Sequence, residues 1–187
     1  LERIRAAAGA RSVSGVIAAV TRLPNNNQLP VFGVDPADPV ATLFEPKEGT
    51  PLAPGAALLG RAASASAGQR PGGSIEVLPG RRLPVAGIYE SAYGFLDGGC
   101  VLALGDARRL FEMEGLVSLA LVKLEDPAQT SGAIARINRE LPHLHATVSE
   151  LFFSGYRELE LVDRFARFLA LAALVVAALG VANTLGM

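Results

Sequence analysis

Cysteine is nearly absent from this chain. Cys100 is its one cysteine in 187 residues, which excludes an internal disulfide and any thiolate zinc cluster. Lysine is almost as scarce, with only Lys47 and Lys123. No Walker-type phosphate loop occurs, so any nucleotide hydrolysis has to come from another domain or polypeptide. No GxSxG nucleophile elbow occurs either. Net charge is −1, which leaves no overall field to draw in nucleic acid, and none is expected as a partner. The chain opens at Leu1 with no basic region followed by an apolar stretch, so no secretory leader is legible. A segment cut from a longer membrane protein is the expectation.

The few groups able to do chemistry do not assemble into a site. His143 and His145, two apart on an expected strand, would face the same way and suit a metal pair, but no third ligand accompanies them. They read as surface histidines. Asp97 and Cys100 share a glycine-rich loop without a histidine placed to activate the thiol. Glu158, Glu160 and Asp163 form a carboxylate run of the kind a solvated helix face carries. No catalytic residue, metal site or cofactor is expected, and the chain reads as a non-enzyme.

What the sequence does have is one long stretch without charge. Residues 168–187 read FLALAALVVAALGVANTLGM, preceded by Arg167. At about 1.5 Å per residue, some 20 residues of helix span about 30 Å, the hydrocarbon thickness of a bilayer. Its Leu, Phe and Val side chains favour insertion by roughly 3 to 5 kcal/mol, whereas a single central Arg would cost about 3. The alternative, a helix buried in a soluble core, needs a larger protein around it than this chain supplies. A transmembrane helix is expected. Mean hydropathy is +0.35 with 50% hydrophobic and 19% charged residues, and the excess lies mostly in this stretch. The rest is expected to be an ordinary domain.

Along the chain, residues 1–10 are helix-prone and residues 12–22 are strand-like, with Val13, Val16, Ile17 and Val20. Residues 23–30 read as an Asn- and Pro-bearing loop, and 31–35 as a short strand. The proline-rich residues 36–55 read as irregular, with at most a short strand near 41–44. Residues 56–67 are expected to be helical. Residues 74–78 and 82–89 form an expected hairpin, with Pro79-Gly80 at the centre of a type II turn. After a loop at 89–99, residues 101–104 read as a strand and 106–113 as a helix capped by Asp106. Residues 116–124 are strongly strand-like. Asp126, Pro127 and Gln129 then start a helix carrying Ile134, Ile137 and Leu141 on one face. Residues 144–148 are expected to return as a strand. A faint echo links residues 1–14 with 134–149, which places both chain ends in one sheet with residues 23–115 as an insertion.

Residues 151–167 link this sheet to the apolar stretch as an expected stalk. Glu160 with Arg164, and Asp163 with Arg167, are acid-first i,i+4 pairs worth about 0.3–0.5 kcal/mol each. Phe152, Phe153 and Tyr156 suit a headgroup interface, which brings membrane lipid in as a partner. Within the apolar stretch, Asn183 and Thr184 are the strongly polar groups, and Gly180 allows close approach. Such residues suit helix–helix packing in a membrane, although a position near the far interface would also satisfy them.

With these pieces in place, the chain resembles the extracytoplasmic domain and following membrane helix of FtsX-like ABC transporter permeases, the group with a MacB-like periplasmic core domain. The resemblance rests on LERIRAAAGARSVSGV at the start, ALLGRAAS followed by GGSIEVLPGRRLPVAGIYE, then VSLALVKLEDPAQTSGAIARIN, and finally LGVANTLGM. Ala8-Gly9-Ala10 departs from the Pro-Gly-Val that relatives often show. The resemblance implies a multi-pass cell-membrane permease segment with residues 1–150 outside the cytoplasm, a second permease copy and a separate or fused ABC ATPase. It further implies coupling of ATP hydrolysis to export, substrate release or activation of an extracytoplasmic partner by mechanotransmission. It carries over no catalytic residue. The alternative is a membrane-anchored binding module without an ATPase. The expected fold is α+β: a mixed sheet with packed helices built from both chain ends, an inserted strand- and loop-rich lobe, and a C-terminal transmembrane helix.

Overall fold

In a computed structural model that describes residues 1–148, the elements run α1 (Glu2–Ala8), β1 (Ser12–Arg22), β2 (Gln28–Val34), a 3-10 helix (Pro39–Phe44), β3 (Pro46–Gly49), β4 (Ala57–Gly60) and α2 (Arg61–Ala67). They continue β5 (Ser74–Leu78), β6 (Arg81–Tyr89), α3 (Gly94–Asp97), β7 (Cys100–Ala103), α4 (Leu104–Leu110), β8 (Leu119–Lys123), a short 3-10 turn (Pro127–Gln129) and α5 (Thr130–Glu140). The chain divides into two units, Leu1–Thr147 and Val148–Met187. Only the first is described below.

The strands form one mixed sheet in the order β3-β6-β4-β7-β2-β1-β8, with β5 attached to β6. Two long strands organise it, and each changes partner along its length. Residues 12–16 of β1 pair antiparallel with β8, and residues 17–22 pair antiparallel with β2. β6 gives its first half to β5 and its second half to β3 and β4. The β2–β7 and β4–β6 pairs are parallel. β-branched residues explain the choice of β1, because Val13, Val16 and Ile17 pack well on a pleated surface and all three are buried.

This layout accounts for a larger and a smaller hydrophobic cluster. The larger one joins Ile17, Leu29 and Val31 to Leu59 and Leu102 and to Ile75 and Val77 of β5, beneath Ala63 of α2 and Ala107 of α4. The smaller one joins Ala7 and Ala8 of α1 to Ala133, Ile137 and Leu141, with Val122 of β8 packed against it. The expected α+β mixed sheet with packed helices is therefore present. Among the described residues no helix is long and apolar enough to cross a membrane. The expected membrane helix at 168–187 and stalk at 151–167 lie outside the described residues.

Several local expectations change. Residues 56–67 are not one helix, because Ala57–Gly60 is strand β4, held between β6 and β7. Its adjacent Leu58 and Leu59 are 1% and 0% exposed. Burial of both faces makes such a strand a continuous apolar run, which periodicity cannot tell from helix. Residues 36–55 place their strand at Pro46–Gly49 and a 3-10 helix where a strand was expected. Asp106 does not cap α4, which starts at Leu104; its carboxylate accepts from the Gly55 N–H at 2.6 Å and pairs with Arg109. Residues 144–148 join no ladder. The Asn138 amide occupies the backbone of Ala146 instead, accepting from its N–H at 2.8 Å. The hairpin turn keeps its expected form, with Gly80 at φ 74°.

If Ala57–Gly60 is a central strand, Leu58→Ala and Leu59→Ala should each lower unfolding free energy by about 2–5 kcal/mol in denaturant titration, because each empties a different face of the sheet. A helix in this place would lose much from one substitution and little from the other.

Candidate functional site

A shallow, open concavity on the described surface is lined by Lys47, Arg61, Glu90, Ser91, Ala92 and Asp97. It forms where β3, the end of β6 and the start of α2 meet the loop that carries α3. Gly60 ends β4 and donates its N–H to the Gly99 carbonyl at 2.9 Å. A side chain is excluded there, since a Cβ on Gly60 would stand 1.9 Å from the Asp97 carbonyl oxygen. The loop therefore lies directly on the backbone of the strand.

Asp97 is the hub of the arrangement. Its Oδ1 accepts from the Ser91 N–H at 3.1 Å and the Arg61 N–H at 3.3 Å, and its Oδ2 accepts from the Ala62 N–H at 3.0 Å. One carboxylate thus satisfies two free N–H groups at the start of α2 and closes the loop that bears it. Beneath it, the buried Tyr89 hydroxyl donates to the Leu96 carbonyl. Phe95 meets Phe32 edge-on at 5.5 Å, and Phe44 meets Tyr89 edge-on at 5.2 Å. The loop is held from below by aromatic packing and from within by the carboxylate.

The charges at the rim are largely paired. The Arg61 guanidinium contacts Glu90 and lies 3.3 Å from Glu48, and the hydrogen bond and charge of Glu90, with a smaller contribution from Glu48, raise the Arg61 pKa. These side chains are about half exposed, so the pairs contribute little to stability. Burial raises the Tyr89 hydroxyl well above its ordinary value. Burial also pushes the Cys100 thiol from 9.0 to about 12. A wholly buried thiol of that pKa is not a nucleophile at neutral pH. The concavity positions a loop and presents paired charges.

The sequence-derived candidates fall elsewhere. Gly180, Asn183 and Thr184, and the stalk residues Glu160, Asp163, Arg164 and Arg167, all lie outside the described residues. His143 and His145 are exposed on an irregular segment, and among the described residues no group of three or more His, Cys, Asp or Glu is placed to hold a metal ion. In the sequence Asp97 stands out only for sharing a glycine-rich loop with Cys100, and its hydrogen bonds are not legible there. The Arg61 network was not legible, because its partners lie 13 and 29 residues away in sequence.

No protein-family profile matches the sequence, and no curated protein matches it. Solved structures do. The extracellular domain of the noncanonic ABC-type transporter YknZ from Gram-positive bacteria is similar with a TM-score of 0.55 and 12% identity, over 74% of this chain and 80% of that one. The periplasmic region of MacB from Actinobacillus actinomycetemcomitans aligns with a TM-score of 0.49 and 14% identity, over 70% of this chain and 67% of that one. At such identity the likeness to YknZ is one of fold, and it is the fold that the resemblance in sequence leads one to expect.

Asp97→Ala should lower stability by about 0.5–2 kcal/mol, since it removes the carboxylate that caps the first N–H groups of α2, and should open residues 91–99 to protease. Arg61→Ala should cost less than about 1 kcal/mol in the same thermal melts. The buried thiol gives a pH signature of definite sign. Below pH 9.0 both folded and unfolded thiols are protonated and contribute no pH dependence. Between pH 9.0 and about 12 only the unfolded thiol ionises, so stability falls across that window. The slope is at most about 1.4 kcal/mol per pH unit, and Cys100→Ala should flatten it, leaving the contribution of Tyr89 in the same direction.

Proposed function

We propose that this chain is the extracytoplasmic domain and adjoining membrane helix of an ABC-type transporter permease, in which the domain takes up motion generated by a cytoplasmic ATPase. The observation that carries this reading is the likeness in fold to the YknZ extracellular domain over 74% of the chain. The uncharged residues 168–187 support it, being long enough for a bilayer. The chain carries no phosphate loop, so in this reading ATP hydrolysis belongs to another domain or subunit. Residues 1–22 and 116–150 then serve as the membrane-side part of the domain, with residues 23–115 as its insert. A second permease copy completes the assembly, with Asn183 and Thr184 packing among membrane helices beside Gly180. Glu160, Asp163, Arg164 and Arg167 keep the connecting helix solvated and stiff. The domain acts by moving or releasing a substrate, or by activating a partner outside the membrane.

A topology experiment tests the reading. With Ala53→Cys placed on an exposed loop of the chain in its complete reading frame, a membrane-impermeant maleimide should label intact cells, while native Cys100 stays unreactive because it is buried. An ABC ATPase subunit, or a fused ATPase domain, should accompany the tagged protein through purification. Labelling only after permeabilisation would overturn the extracytoplasmic placement. Extracytoplasmic labelling with no ATPase in a crosslinked preparation would favour an anchored binding module instead.

A further inference from the structure

Helix α1 is seven residues long, too short to persist in water on its own. Its C-terminal carbonyls are nevertheless occupied. Gly9, at φ 62°, donates to the Ala6 carbonyl, and Ala10 donates to that of Arg5. The remaining two, Ala7 and Ala8, accept from one side chain far along the sequence: Arg136 Nε reaches Ala7 at 3.0 Å and Nη2 reaches Ala8 at 3.0 Å. A guanidinium suits this task, since its planar fork spans two acceptors and its charge opposes the negative end of the helix dipole.

Two residues further on, Asn138 makes an equivalent pair of bonds to a different segment. Its Oδ1 accepts from the Ala146 N–H at 2.8 Å, and its Nδ2 donates to the Ala146 carbonyl at 3.4 Å. At about 100° per residue, Arg136 and Asn138 lie on opposite flanks of Ile137. Ile137 is 5% exposed, in the cluster that holds Ala7, Ala8, Ala133 and Leu141, with Ala146 packed against it. One helix thus grips the segment that enters the domain with one flank and the segment that leaves it with the other.

We propose that α5 is a two-sided clamp, in which Arg136 fixes the incoming helix α1 and Asn138 fixes the outgoing residues 144–147, so that the two ends of the domain move as one body. Arg136 and Asn138 are positioning residues, acting through the backbone they hold. The clamp is a property of the domain itself; its bearing on transport, as the point where displacement of one membrane connection is shared with the other, rests on the permease reading above.

The test uses the full chain purified in detergent, with nitroxide labels at Arg3→Cys and His145→Cys, both exposed positions. The unaltered clamp should give one narrow distance distribution, and Arg136→Ala combined with Asn138→Ala should broaden it about twofold or more. In hydrogen exchange, Arg136→Ala should speed the amides of α1 about tenfold, and Asn138→Ala should speed that of Ala146 with α1 unaffected. Arg136→Lys keeps the charge without the fork and should recover less than about half of the lost protection. An unchanged distribution in the double variant overturns the clamp. Equal acceleration in β2, β4 and β7 also overturns it, because that pattern is general destabilisation. None of these readouts involves transport, so failure of the clamp and failure of the permease reading are separate results.

Discussion

The described domain depends on a single strand keeping two partners in succession. Five residues of β1 pair with β8 and the next six with β2, so one continuous backbone joins the sheet edge under α1 and α5 to the sheet interior. Register is not negotiable in such a strand. A one-residue slip would turn Ile17 away from Leu29, Val31 and Leu102, and would bring Ser14 to the face that Val13 fills. Because both halves share one chain, an error in either ladder is penalised in both. β6 repeats the device at the far side, between β5 and the β3–β4 pair. The two long strands therefore carry the cooperativity, while the short strands add area to a frame already fixed.

Where the ladder stops, side chains take over the backbone groups it would have satisfied. Asp97 serves three N–H groups, Arg136 two carbonyls, and Asn138 both groups of Ala146. Ser118 does the same at the β1–β8 junction, taking the Ala18 N–H at 3.2 Å and donating to its carbonyl at 3.3 Å. A stranded backbone group in a covered place costs about 1–3 kcal/mol, which exceeds the usual worth of a half-exposed ion pair. The order of importance follows. The Arg61 pairs with Glu48 and Glu90 decorate the concavity, and Asp97 builds it.

What was legible in the sequence follows from the same distinction. The span of β1 could be read directly, because its β-branched residues and the stop at Gly9 are local signals. So could the hairpin around Pro79-Gly80 and the helical turn opened by Asp126, whose carboxylate accepts from the Ala128 N–H at 2.9 Å, although that turn is 3-10 and α5 itself starts at Thr130. Ala57–Gly60 failed because Ala-Leu-Leu favours a helix when read alone, and only its place between β6 and β7 makes it a strand. Residues 144–148 failed for the opposite reason. Their strand-like pattern was real, but Asn138 claims the Ala146 backbone before a ladder does. The hydrogen bonds that shape the loop and the clamp were the least legible, since Arg136 meets Ala7 across 129 residues of sequence. No spacing rule reaches that far. The mixed α+β sheet was legible because it rests on patterns of apolar residues, and those are written locally.

This division also indicates where in the domain function is best sought. A ligand that entered the concavity would have to compete with carboxylates already bound to Arg61 and with backbone donors already bound to Asp97, and so would begin with a deficit. The proposed mechanical role asks for the reverse arrangement, in which contacts are complete and join parts into one body. The region around α5 has that character. Its apolar contacts join Ala7, Ala8 and Ala133 to Ile137 and Leu141, with Ile4, Val122 and Leu124 packed against them. Its polar contacts are few, directional and made to backbone rather than to other mobile side chains. Packing lays α1 against α5, and the guanidinium of Arg136 adds a directional tie to the last two carbonyls of α1, just before the chain turns at Gly9 toward β1.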